Sequence, residues 1–88
     1  MKLTEQEVFE LQDSYKKIFY DLYNPKTYRF LGVNFVEQEK EPVIISGSNN
    51  HNNFYCIANT NGIIKTCYSF GEAKQEILQK TYEGEYEK

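Results

Sequence analysis

Two cysteines, one histidine and two runs of alternating glutamates are the residues here with chemistry to offer. Cys56 and Cys67 flank Asn61-Gly62, a strong hairpin signal. A two-residue turn there pairs Thr60 with Ile63 and sets Cys56 opposite Cys67. In a hydrogen-bonded pair the Cα atoms lie about 5.5 Å apart, within reach of a disulfide. The other reading is two small apolar residues buried as free thiols. There is no CxxC, and His51 is the single imidazole, so no metal site is expected. His51 sits in an Asn-rich stretch and reads as a solvated side chain. Ser46, Ser48 and Ser69 lack an accompanying nucleophile motif. Gly32, Gly47, Gly62, Gly71 and Gly84 are scattered, so no loop that cradles phosphate is expected. The expectation is no cofactor and no enzyme, because catalysis needs acid, base or nucleophile groups converging in a concave site.

The glutamates alternate at Glu37, Glu39 and Glu41, and again at Glu83, Glu85 and Glu87. Such runs are solvated loop and tail, or a carboxylate array that competes for a partner's basic surface with fast, salt-sensitive association. Aromatic residues are the other excess: eight Tyr and six Phe, with no Trp. Arg29 is the single arginine against nine lysines. Asn, Lys, Ile, Tyr and Phe share AT-rich codons, a bias common in Gram-positive bacteria, their plasmids and their phages. A tyrosine-rich chain also suits an interaction surface, since Tyr supplies broad amphipathic area at low entropy cost.

Size and charge narrow the class. At 88 residues the chain has material for one core, and residues 1–82 read as one domain with an acidic tail over 83–88. A net charge of −3 argues against a free-standing nucleic-acid binder, which needs a basic stripe to displace counterions. Two cysteines are too few for a disulfide scaffold. No apolar run approaches the ~18 residues of a membrane span. The N-terminal MKLTEQEVFE lacks the apolar stretch of a signal peptide, which points to the cytoplasm.

The elements follow from periodicity. Thr4 and Glu7 have capping-box spacing, and Val8, Leu11, Tyr15, Ile18 and Leu22 make one apolar stripe, so a helix is predicted over 4–23. Asn24-Pro25 ends it. Residues 28–37 read as a strand, with Leu31, Val33 and Phe35 on one face, Tyr28, Phe30 and Val36 on the other, and a bulge near Gly32. Residues 42–46 make a second strand and 46–53 a polar loop. Strands are predicted over 54–59 and 63–68. Ser69 and Glu72 form a second capping-box pattern, opening a helix to about Tyr82. The fold class is therefore α+β, in the order α-β-β-β-β-α. Short links favour a four-stranded antiparallel meander with two helices on one face and the other face open to water.

Every strand carries apolar or aromatic residues on both sides. An open face would leave a greasy patch of the kind that marks a contact site. Its candidate residues are Tyr28, Phe30, Tyr55 and Tyr68, with Glu37, Glu39 and Glu41 beside them. Residues 53–78 run through an aromatic strand, an Asn-Gly turn, a strand and Ser-Phe-x-Glu opening a helix. This stretch resembles the C-terminal strands and helix of SUKH-type immunity proteins, over less than a third of the chain. The functional expectation is a small protein-binding module that occupies a larger partner's surface, as an inhibitor, immunity factor or anti-defence protein does. The alternative is a homodimer or other homo-oligomer burying the same patch against itself.

Overall fold

The computed structural model describes residues 2–50 and 52–83. Helix α1 (Glu5–Leu22) begins at a complete capping box: the Thr4 hydroxyl accepts from the Glu7 amide and the Glu7 carboxylate accepts from the Thr4 amide. The helix stops before Pro25. The Asn24 carbonyl then gathers the amides of Thr27 and Tyr28 and turns the chain into β1 (Tyr28–Asn34). A short 3-10 turn (Val36–Gln38) leads to β2 (Val43–Asn49), β3 (Asn52–Asn59), β4 (Gly62–Cys67) and α2 (Phe70–Glu83). The Ser69 hydroxyl accepts from the Glu72 amide at the start of α2.

The fold is α+β, with a helix at each end of an antiparallel sheet in the order β1-β2-β3-β4. It departs from expectation in the layers. The helices lie on opposite faces, not on one. On the first face Val43, Ile45, Phe54, Cys56 and Ala58 pack with Tyr15 and Phe19 of α1. On the second, Ile44, Ile57 and Cys67 pack with Ala73 and Ile77 of α2. The cause is written in the strands: Val43-Ile44-Ile45 and Cys56-Ile57-Ala58 are fully apolar runs. Side chains in a strand alternate between faces, so such runs need cover on both.

Register supplies two further differences. Leu31 is the extra residue of a bulge between Phe30 and Gly32, so Tyr28, Phe30 and Val33 all turn toward α1. In the last hairpin Asn59 pairs with Gly62, and a bulge between Ile63 and Lys65 shifts the rest. Cys56 therefore pairs with Thr66 and Cys67 with Tyr55. The two thiols are free, buried and on opposite faces, and cannot form the disulfide that a straight register would permit. The predicted 46–53 loop is instead the paired end of β2 and β3, closing at Asn49 opposite Asn52.

Side-chain hydrogen bonds tie the layers. The part-buried Glu41 carboxylate accepts from the Tyr15 hydroxyl and from the Thr60 amide, both at 3.2 Å, fastening α1 to the β3–β4 turn. The Tyr20 hydroxyl accepts from the Phe30 amide at 2.9 Å, occupying a backbone donor of β1, which lies at one edge of the sheet. Gly47 lies under the first helix. A Cβ built there would stand 2.6 Å from the Phe19 ring and 2.9 Å from that of Phe54, so only glycine fits without movement. Among the described residues no helix is long and apolar enough to cross a membrane.

Candidate binding surface

With a helix on each side of the sheet, no open aromatic face remains among the described residues. The large exposed apolar side chains, Phe9, Leu22, Leu31, Tyr68 and Leu78, are spread over α1, β1, the β4–α2 link and α2.

Five of the seven residues singled out from sequence fall in separate places. Phe30 is half-buried beneath α1, edge-on to Phe19 at 5.8 Å, with the Lys16 ammonium 5.9 Å above its ring. Tyr55 lies on the second face, edge-to-face with Phe70. Glu37 is exposed in the 3-10 turn in a left-handed conformation (φ 56°). Glu39 is half-buried and bridges by backbone to Lys2. Glu41 is the internal clasp described above. Of the second glutamate run, Glu83 ends α2, and Glu85 and Glu87 lie outside the described residues, as does His51.

Tyr28 and Tyr68 are brought together. They line a cleft of about 310 Å³ with Tyr23, Phe54, Thr66, Asn49, Asn52 and Asn53. Its position follows from the pairings. Gly47, Asn49, Asn52 and Phe54 share the first face by strand alternation, at the end of the sheet reached by the C-terminus of α1. There the Tyr23 ring leans over Tyr28 (centroids 4.7 Å, planes at 44°) and Phe54 (5.4 Å, 55°). Tyr28 meets Phe54 nearly at right angles, at 6.0 Å and 86°. Tyr68, just past β4, leaves 77% of its surface in solvent at the rim.

The lining carries no charged side chain among the described residues. Burial raises the Tyr23 phenol above its ordinary value, so its hydroxyl stays neutral, 3.8 Å from the Cys56 sulfur. Burial raises both thiols too, keeping them protonated and weak as nucleophiles. The Asn49 Oδ1 atom is buried and has no hydrogen-bond partner among the described residues. Such an atom costs free energy until a donor or positive charge reaches it. A wider hollow of about 470 Å³ between Ile18, Leu22 and the 60–63 turn has no aromatic wall.

Sequence reading missed Tyr23, which it took only as the end of the first helix, and the three asparagines, which it placed in a loop. The available signal was alternation continuing outward from Val43-Ile45 to Gly47 and Asn49, and from Cys56 to Phe54 and Asn52. Among the described residues no group of three or more His, Cys, Asp or Glu side chains is placed to hold a metal ion. The arrangement is a small aromatic hollow lined also by three asparagines. Compared with protein-family models, curated proteins and solved structures, the chain has no match, and the SUKH-type resemblance of residues 53–78 gains no support from them.

Proposed function

We propose that this protein is a non-enzymatic, cytoplasmic protein-binding module that occupies a surface of one larger partner. Inhibitors, immunity factors and anti-defence proteins of phages and mobile elements work in this way. The supporting observation is the cleft end of the sheet, where an exposed Tyr68 stands beside Tyr28 with Asn52 and Asn53 at the rim. Tyrosine and asparagine are the residues with which adaptable recognition loops make contact, rigid rings giving area and amides giving hydrogen bonds. The glutamates of the 37–41 segment would act at most on the approach of a basic partner, because Glu41 is occupied internally.

The test is affinity capture from the source lysate with the wild-type chain and with Tyr68→Ala, whose exposed ring can be removed without opening the core. A partner held through a hot-spot ring loses about 2 kcal/mol or more on such truncation. Undiminished capture by Tyr68→Ala overturns this assignment of the surface. Sedimentation across a concentration series addresses self-association: a dimer that dissociates on Tyr68→Ala would replace the larger partner with a second copy.

A further inference from the structure

We infer that the Tyr23–Tyr28–Phe54–Tyr68 cleft is a binding site for an alkylated ammonium group. This goes beyond the protein-binding reading and stands whether the group belongs to a small molecule or to a modified side chain.

Three observations converge on a positive, weakly hydrated occupant. Four aromatic rings line the cleft, and the inner three pack against one another, inclined by 44°, 55° and 86°. Aromatic faces are the negative side of the ring quadrupole and attract cations. Among the described residues nothing donates to the buried Asn49 Oδ1, whose partial negative charge adds to that of the ring faces. Among the described residues no lysine or arginine lines the cleft. The same aromatic cluster engages a cation elsewhere, where Lys16 sits over Phe30.

Size and charge select within that class. A cleft of about 310 Å³ is at the small end of the ~300–1,000 Å³ range of ligand pockets and suits one compact head group. A carboxylate or phosphate would meet ring faces and an orphan acceptor with no cation to balance it. A primary ammonium keeps its water tightly, whereas methylation spreads the charge over an apolar surface that rings can replace.

The experiment is NMR titration of the labelled full chain with tetramethylammonium, choline and N-acetyl-trimethyllysine amide. The controls are N-acetyl-lysine amide and 3,3-dimethylbutanol, the uncharged shape-mimic of choline. The expected result is saturable shifts at Tyr28, Asn49, Asn52 and Tyr68 with the methylated cations, and binding at least fivefold weaker for the neutral mimic. Preference among the three cations separates a free small molecule from a modified lysine. Tyr68→Leu leaves the core intact and should weaken binding roughly fivefold, with Tyr28→Leu costing up to about thirtyfold, the range expected for ring–cation contacts. Equal binding of 3,3-dimethylbutanol and choline, or no cleft shifts with any cation, overturns the inference. Neither outcome bears on capture of a protein partner, which Tyr68→Ala tests separately.

Discussion

The two faces of the sheet are packed from different stock. Under α1 the core is aromatic: Tyr15, Phe19, Phe35 and Phe54 are buried, and Tyr20, Tyr23, Tyr28 and Phe30 lean in from the sides. Under α2 the buried residues are aliphatic and small, Val36, Ile44, Ile57, Cys67, Ala73 and Ile77, with the Tyr55–Phe70 pair at their side. Rings are large, rigid and directional, so they fill a thick layer but leave inclined gaps where the cluster ends. The contrast accounts for a ring-lined cleft opening on the α1 side.

Mutation should expose the asymmetry. Phe19 touches four other rings, and Phe19→Ala should cost about 3–5 kcal/mol, against a loss near the low end of about 2–5 kcal/mol for Ile77→Ala under α2. Urea unfolding of both variants measures the difference, and equal losses would mean the two layers are energetically equivalent. Gly47→Ala should cost about 1–3 kcal/mol because its new methyl must displace Phe19 and Phe54. The same change at Gly71, where a Cβ meets nothing within 4 Å, is the control.

Alkali should also act mainly from the α1 side. Burial raises the Tyr15 phenol, with the Glu41 carboxylate adding to the effect, and it raises Tyr23 and Cys56 beneath the same helix. Cys67 is the raised group on the other face. A raised value means the folded state holds its proton longer than the unfolded chain does. The stabilisation is complete below about pH 7.5, where thiols and phenols are protonated in both states, and is lost, thiols first, as pH climbs from their unfolded values through the raised ones. Unfolding free energy should fall by about 1–2 kcal/mol between pH 9 and 11, with a smaller fall in Tyr15→Phe. The smallest effect is expected at Thr4→Ala, about 1 kcal/mol from loss of the α1 cap, read as a shift in thermal midpoint.

The sequence made the elements legible where a local signal was strong. The Thr4–Glu7 box and the Asn24-Pro25 stop place α1 within a residue of its observed ends, and Phe54–Asn59 lies inside β3. Reading failed where tertiary pairing overrides composition. Ser46-Gly47-Ser48-Asn49 has loop composition, yet its backbone pairs with β1 and β3 on either side. Register failed for a sharper reason: one looped-out residue in β4 moves every later side chain to the other face, and with it Cys67. The cover on both faces was legible in the runs Val43-Ile44-Ile45 and Cys56-Ile57-Ala58, which an open meander does not need. The cleft was half legible. Tyr28 and Tyr68 are conspicuous as tyrosines, but their meeting depends on a hairpin that read as a loop.

The Tyr20 phenol that takes the Phe30 amide has a consequence for the chain's solubility. A border strand with vacant amides invites a stranger's backbone to join, and stacking of that kind is how fibrils grow. Here one of those amides is already engaged, and the bulge at Leu31 breaks the even spacing a newcomer would have to match. The molecule can thus show a greasy leucine at its margin without offering a template for endless addition.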